Sequence, residues 1–63
     1  MRETIENDKI GSGGMRLTFD SVETEWFIEI WSERGQSVEL AFSDEIDAEG
    51  AYRQLLGGTQ NIY

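Results

Sequence analysis

Three residue types are missing from the 63-residue chain, which contains no cysteine, no histidine and no proline. Without cysteine it cannot form a disulfide. Without cysteine or histidine it has no thiolate or imidazole to bind a metal, act as a nucleophile or transfer a proton. We therefore expect no metal, no cofactor and no enzymatic activity. A chain this short must stabilise its fold by apolar burial alone, or with the help of a partner or a second copy.

Long apolar runs are also missing. No apolar block exceeds three residues, as in Trp26-Phe27-Ile28, and residues 1–10 contain no basic stretch followed by an apolar run. A membrane span needs about 20 apolar residues, and a signal peptide needs an apolar core of about 7–15. We therefore expect neither, and we predict a cytoplasmic protein that makes no contact with a membrane.

Acidic residues are abundant. Thirteen Asp and Glu residues against five Lys and Arg residues give a net charge of -8. Because binding to phosphates depends on Lys and Arg, we expect no direct contact with nucleic acid, and a basic protein surface is the natural partner. Leu, Ile, Val and Phe make up 15 of the 63 residues, about 24%, above the roughly 20% below which highly charged chains stay disordered. One small domain with a thin core is expected.

The first 14 residues end in the flexible segment Gly11-Ser12-Gly13-Gly14, whose glycines lose much entropy when they are ordered within a strand or helix. We predict that residues 1–14 are a leader or weakly ordered segment with this glycine-rich linker, and that residues 15–63 are a single domain. A first strand at residues 2–6 that loops back to Met15 is the alternative.

Three strands are predicted after residue 14, because apolar and polar residues alternate there. The middle strand has the strongest signal, since aromatic and β-branched residues dominate it. A turn at Arg34-Gly35-Gln36 would pair Glu33 with Ser37 and place Glu29 opposite Ala41. The apolar side chains expected on one face of this sheet are Met15, Leu17, Phe19, Trp26, Ile28, Ile30, Val38, Leu40 and Phe42.

A C-terminal helix follows, because its apolar residues change to helical spacing: Ala48, Ala51, Tyr52, Leu55 and Leu56. Ser43 or Asp47 is expected to cap its start, and Gly57-Gly58 to end it. The sequence therefore predicts an α+β fold, in which a three-stranded antiparallel β meander packs one face against a single C-terminal helix.

Negative charge is concentrated in the middle of the chain. Residues 20–49 contain ten carboxylates and one base, Arg34, whereas the other 33 residues contain three acids and four bases. Since one helix covers only one face of the sheet, acidic side chains and two large aromatic residues are expected on the other face. The residues predicted to bind a partner are Asp20, Glu25, Phe27, Glu29, Trp31, Glu33, Glu39, Asp44, Glu45, Asp47 and Glu49.

In its small size, its acidity and its order of three strands and then a helix, the chain resembles the small acidic inhibitors that phages make against nucleic-acid-binding proteins of their hosts. Over residues 15–58 it is similar in these respects to anti-CRISPR proteins of the DNA-mimic kind. The resemblance implies that the protein occupies a DNA-binding site of a host defence complex, for instance the site that reads the protospacer-adjacent motif in a type I surveillance complex. It implies a bacterial cytoplasm as the location.

Two other interpretations account for the same residues. The acidity also suits a salt-adapted protein whose carboxylates are all solvated. Alternatively, the chain is a small structural or regulatory module that dimerises through Phe27 and Trp31, or that docks its own tail, Ile62-Tyr63, on them. The sequence leaves open whether the protein is a monomer or a homodimer.

Overall fold

The computed structural model describes residues 2–60, which form a four-stranded antiparallel sheet and one C-terminal helix. The strands are β1 (Arg2–Ile10), β2 (Gly13–Asp20), β3 (Glu25–Trp31) and β4 (Ser37–Phe42), and the helix α1 spans Glu45–Gln60. The strands lie in the order β1-β2-β3-β4, so each one pairs with its neighbour in the chain. The predicted α+β class, antiparallel sheet and C-terminal helix are confirmed. The prediction of three strands is wrong, because the sheet has four.

The additional strand is β1, which lies where a leader or weakly ordered segment was expected. It pairs with β2 over its whole length, with one irregularity in register between Thr4 and Glu6. Nearly all of its side chains are exposed, so its sequence has no alternating apolar pattern by which a strand is recognised. The predicted leader began at Met1 and the predicted domain ended at Tyr63. Met1 and residues 61–63, which include the tail expected to dock on the sheet, lie outside the described residues.

The glycine-rich segment forms the turn between β1 and β2 and the start of β2, and it is not a linker. Gly11 has a φ of 60°, a left-handed conformation that favours glycine. A Cβ atom added at Gly13 would collide with the carbonyl oxygen of Trp31, and one added at Gly14 would collide with the ring of the same residue. Gly13 therefore allows the backbones of β2 and β3 to approach closely, and Gly14 leaves room for the Trp31 ring.

The hydrophobic core lies between α1 and one face of the sheet. Met15, Leu17 and Ile28 from β2 and β3 pack against Ala48 and Tyr52 from the helix, and each of the five is at most 1% exposed. Partly buried apolar side chains surround this cluster, namely Ile10, Trp26, Ile30, Phe42, Ala51, Leu55 and Leu56. The predicted core face and the apolar stripe of the helix are thus confirmed at the centre of the sheet.

Two residues of the predicted core face remain exposed. Val38 and Leu40 of β4 are 59% and 38% exposed, although they lie opposite Ile30 and Ile28 of β3. A helix is about 10 Å wide and strands lie about 4.8 Å apart, so a single helix does not cover four strands. The apolar surface of the sheet therefore extends beyond the helix at the β4 edge.

The residue that caps the start of the helix is neither of the two that the sequence predicted. Asp44, rather than Ser43 or Asp47, is the capping residue: its Oδ2 accepts a hydrogen bond from the backbone N–H of Asp47, at 3.4 Å, and its carbonyl oxygen accepts one from Ala48. The predicted end at Gly57-Gly58 is also wrong, because α1 continues to Gln60. Within residues 2–60, no helix has the length and apolar character required to cross a membrane.

The β3–β4 hairpin has a different register from the predicted one. Trp31, and not Glu33, lies opposite Ser37, so that Glu29 lies opposite Glu39 instead of Ala41. The turn has five residues between the strands where three were expected. This shift of two residues keeps every side chain on its predicted face, because side chains alternate with a period of two.

Candidate protein-binding surface

The sheet face that points away from α1, called the open face below, carries six of the predicted partner-binding residues. Their side chains alternate with those of the core in the observed register, and they are Asp20, Glu25, Phe27, Glu29, Trp31 and Glu39. The structure therefore brings the strand residues of the prediction together. Glu33 lies outside this set, in the turn after β3.

Arg2 of β1 extends across the open face and pairs with two of its carboxylates. Its Nη1 donates a hydrogen bond to Oε2 of Glu39, at 2.7 Å, and lies 3.6 Å from Oε2 of Glu29. Its guanidinium carbon lies 3.8 Å from the centroid of the Phe27 ring, a cation–π contact. The hydrogen bond to Glu39 raises the pKa of Arg2. Phe27 is consequently only 8% exposed, although it lies on the face that has no helix.

A second arginine, Arg16 of β2, lies beside the first. It lies opposite Glu29 of β3, and its Nη2 donates a hydrogen bond to Oε1 of Glu29 at 2.9 Å. Its guanidinium carbon also lies 5.4 Å from the Trp31 ring. Trp31 in turn packs flat against Gly14 and is half-buried.

These contacts change the character of the open face. Glu29 and Glu39 are among the residues predicted to bind a partner, but both are bound by arginine. Phe27 is also in the predicted set, but Arg2 covers its ring. The centre of the open face is therefore a structural network of arginine, glutamate and aromatic side chains, and the unpaired carboxylates lie elsewhere.

The chain concentrates other carboxylates at one end of the sheet, called the acidic end below. β2 ends and β3 begins at this end. β4 also ends there, and α1 starts there after two connecting residues. The acidic end consists of Glu23, Glu25, Asp44, Glu45 and Asp47. Among residues 2–60, no ion pair involves any of these five carboxylates. All except the half-buried Glu25 are exposed.

Asp20 lies beside the acidic end and shapes the turn between β2 and β3. Its Oδ1 accepts hydrogen bonds from the backbone N–H groups of Glu23 and Val22, at 3.2 and 2.9 Å, and its carbonyl oxygen accepts one from Thr24. The hydrogen bond from Glu23 is the main cause that lowers the pKa of Asp20, and the one from Val22 lowers it further. Thr24 has a φ of 56°, so the Asp20 carboxylate stabilises a turn with an unusual backbone conformation.

The remaining predicted residues do not join the acidic end. Glu33 is exposed in the β3–β4 turn at the opposite end of the sheet, where Arg34 follows it. Glu49 is half-buried one turn further along α1. The eleven predicted residues are thus divided between the open face, the acidic end and these two separate positions.

Sequence reasoning missed three acids on β1, which are Glu3, Glu6 and Asp8. They lie opposite residues 19, 17 and 15 of β2, on the same side of the sheet as the helix. Tyr52 of α1 donates a hydrogen bond to Oδ2 of Asp8, at 2.5 Å. Burial is the main cause that raises the pKa of Tyr52, and the hydrogen bond to Asp8 raises it further. Only the recognition of β1 as a strand would have placed these acids.

The described residues offer little for catalysis or metal binding. Within residues 2–60, no three acidic side chains are arranged so that they could bind a metal ion. A cleft of about 490 Å³ lies between the β1–β2 and β3–β4 turns, lined by Ile10, Gly11, Ser12, Gly13, Gly14, Ile30, Trp31, Ser32 and Glu33. It contains a single carboxylate, Glu33, whereas glycoside hydrolysis uses a pair of them. The absence of enzymatic activity stays a prediction.

Comparisons of the chain with protein families, with curated proteins and with solved structures found no match.

Proposed function

We propose that the protein is a non-enzymatic inhibitor whose acidic end imitates the phosphates of DNA and blocks a basic nucleic-acid-binding site of a bacterial defence complex. A type I surveillance complex in the host cytoplasm is the favoured target. The observation that carries the proposal is the position of the acidic end: five carboxylates that make no ion pair among residues 2–60 lie at the end of the sheet where the β2–β3 turn and the start of α1 are found.

The distribution of the basic residues supports this proposal. Arg2 and Arg16 are bound to carboxylates on the open face. Lys9 lies near the β1–β2 turn and Arg34 lies in the β3–β4 turn, both at the other end of the sheet, and Arg53 lies on the third turn of α1. Arg2 also begins at this end, opposite Asp20 of β2, but its guanidinium group is bound to Glu39 on the open face.

The acidic end is also well held for this purpose. Its carboxylates project from a turn that Asp20 stabilises and from the first helical turn that Asp44 caps. Since the turn and the helix start lie at the same end of the sheet, the five carboxylates form an array of negative charge there. Such an array attracts a groove lined with Lys and Arg over a distance of about 10 Å at moderate ionic strength, and it speeds the encounter.

The proposal changes the roles of some predicted residues. Glu29 and Glu39 bind arginines, so they stabilise the sheet and are not the main contacts with a partner. Phe27 and Trp31 belong to the same network. The acidic end then provides Glu25, Asp44, Glu45 and Asp47 of the predicted set, together with Glu23, which the prediction did not include.

A competition assay tests the proposal directly. A fluorescent DNA duplex that contains a protospacer-adjacent motif is bound to purified type I surveillance complexes from several bacteria, and the protein is added at increasing concentration. We expect release of the duplex, measured as a fall in fluorescence anisotropy, from at least one complex. The release should weaken as salt is raised, because salt screens the attraction. A salt-adapted protein without a basic partner would release no DNA from any of them.

A matched pair of variants tests the position of the surface. Glu23→Lys and Glu33→Lys change the net charge by the same amount, and both alter exposed glutamates in turns at opposite ends of the sheet. We expect Glu23→Lys to weaken the competition about tenfold or more, the equivalent of ~1.4 kcal/mol, and Glu33→Lys to change it only slightly. Equal effects of the two variants would show that net charge alone governs binding and would contradict the role of the acidic end.

A further inference from the structure

The two edges of the sheet differ in how well they are protected against further strand pairing. The β1 edge has an irregular register between Thr4 and Glu6 and carries several charged side chains. Irregularity and charge on an edge strand are features that prevent pairing with other strands. β1 is therefore a protected edge.

The β4 edge is less protected. β4 pairs with β3 without an irregularity in register, and its only charged residue, Glu39, points to the open face, where it is bound by Arg2. The strand contains no proline. Within residues 2–60, no strand pairs with the outer side of β4. Its outward N–H and C=O groups are thus available to another strand.

The apolar side chains of β4 continue past the helix. Val38 and Leu40 are 59% and 38% exposed on the same side of the sheet as α1, and Phe42 beside them is half-buried. A strand that pairs with β4 would place its own side chains against this row. An apolar row on that strand would then extend the core beyond the edge.

We propose that the occupant of this edge is a second copy of the chain, so that the β4 strands of two copies pair antiparallel around a two-fold axis at Leu40. This register places Leu40 opposite Leu40 of the second copy, and Val38 opposite Phe42. Glu39 lies opposite Ala41. The paired sheets form one continuous sheet of eight strands, with both helices on one side.

The symmetric registers next to this one are less favourable. An axis at Ala41 would place Val38 opposite Asp44, which lies beyond the end of β4. An axis at Glu39 would place the Glu39 side chains of both copies opposite each other, which is unfavourable. An axis at Val38 would place Leu40 opposite Gln36, which lies in the turn before β4. Pairing around Leu40 keeps the apolar residues of both strands in contact and separates the glutamates.

The antiparallel arrangement also suits the uneven charge of the chain. It places the acidic end of each copy beside the β3–β4 turn of the other copy, and not beside the other acidic end. That turn contains Arg34, which makes no ion pair among residues 2–60. Glu33 lies in the same turn, so the turn itself is neutral. The two acidic ends are then at opposite corners of the dimer.

The molar mass in solution tests whether the dimer forms. Sedimentation or light scattering is measured over about three decades of concentration, up to about 1 mM. We expect the mass to rise from 7.2 kDa toward twice that value. Higher salt should strengthen the association, because it screens the repulsion between two chains of net charge -8. A mass that stays at one chain over the whole range would overturn the proposal.

Matched variants test whether β4 is the interface. Val38→Lys and Val22→Lys introduce the same side chain at exposed valines, one on the β4 edge and one in the β2–β3 turn. We expect Val38→Lys to weaken the dimer at least tenfold and Val22→Lys to leave it unchanged. Equal dimerisation of both variants would show that the copies meet through another surface.

Single cysteines test the register, because the chain has no cysteine of its own. Residues directly opposite each other in an antiparallel pair have Cα atoms about 4.5–5.5 Å apart, within the range of a disulfide. We expect Leu40→Cys to form a covalent dimer rapidly with oxidised glutathione. Val38→Cys should not, since four residues separate the two positions along the strands. Rapid cross-linking of Val38→Cys instead would contradict the axis at Leu40.

Failure of this proposal can be distinguished from failure of the proposed function. The dimer rests on β4, and the DNA competition rests on the acidic end. Glu23→Lys, which alters the acidic end, should still form the dimer. Val38→Lys, which alters β4, should still release DNA in a salt-dependent manner at the same concentration of chains.

Discussion

Arg2 donates a hydrogen bond to Glu39 across the whole width of the sheet, since the two residues belong to the opposite edge strands β1 and β4. The bond joins residues that are 37 positions apart in the chain. Between them lie Phe27, under the guanidinium group, and Glu29, which also contacts Arg16. One side chain from the first strand thus covers the open face and neutralises part of its charge.

The first prediction concerns this contact. Arg2→Ala should lower the midpoint of urea denaturation, because it removes the hydrogen bond to Glu39 and the cation–π contact, and it exposes Phe27. Arg34→Ala is the matched control, since that arginine makes no ion pair among residues 2–60. If both variants unfold at the same urea concentration, the contact of Arg2 does not stabilise the sheet.

The second prediction concerns the pH dependence of stability near Asp20. Backbone hydrogen bonds lower the pKa of its carboxyl group in the folded protein, so its ionised form contributes stability above the ordinary pKa of about 3.9. This contribution is lost as the pH falls through the lowered folded-state pKa. Asp20→Asn keeps an oxygen acceptor but removes the charge.

We therefore expect wild type and Asp20→Asn to differ in melting temperature by a constant amount above about pH 5, and to converge as the pH falls below about 4. Thermal denaturation from pH 7 to pH 2 measures this difference. Because both proteins contain the other carboxylates, the difference between their melting temperatures removes the general effect of protonating those groups. A difference that stays constant down to pH 2 would contradict the assignment.

The third prediction concerns Tyr52. Its hydroxyl group is buried and bound to Asp8, so Tyr52→Phe should destabilise the fold by about 1–2 kcal/mol. The pKa of Tyr52 is raised, so its contribution is present below the ordinary pKa of about 10 and is lost as the pH rises above it. Wild type should lose stability between about pH 10 and 12, and Tyr52→Phe should lose less.

A double-mutant cycle with Asp8→Asn checks the partner. If Tyr52 and Asp8 act through one hydrogen bond, the effects of the two single changes will not add, because residues in contact are coupled by about 0.5–3 kcal/mol. Additive effects would indicate that the two side chains stabilise the fold separately.

The fourth prediction compares two glycines. Gly13→Ala should destabilise the fold by about 1–3 kcal/mol, since its Cβ would meet the backbone of Trp31 and the strands would have to move apart. Gly50→Ala should stabilise it by about 1 kcal/mol, because the site lies within α1 and has no atom within 4 Å of the added Cβ. Urea denaturation measures the free energy of unfolding of each variant, which should fall for Gly13→Ala and rise for Gly50→Ala. A loss of stability in both would contradict the prediction for α1.

The local sequence pattern was sufficient to predict those strands and the helix that have one apolar face and one polar face. Residues 15–42 alternate between apolar and polar, and residues 48–56 repeat with helical spacing, because in each case half of the element is removed from water. That periodicity predicted the strands β2 to β4, the helix and the central core residues Leu17 and Ile28. It also placed the carboxylates of β3 and β4 on the open face.

The sequence alone therefore determined the α+β class, the face of each strand and the excess of negative charge in the middle of the chain. Only the tertiary structure decided that residues 2–10 form a fourth strand and that Arg2 binds Glu39. It alone showed that five carboxylates without an ion pair among residues 2–60 lie at one end of the sheet. The physical reason is that β1 buries neither face, so its sequence has no periodic apolar pattern. Whether a charged side chain is paired depends on residues that are distant in the chain and adjacent only after folding.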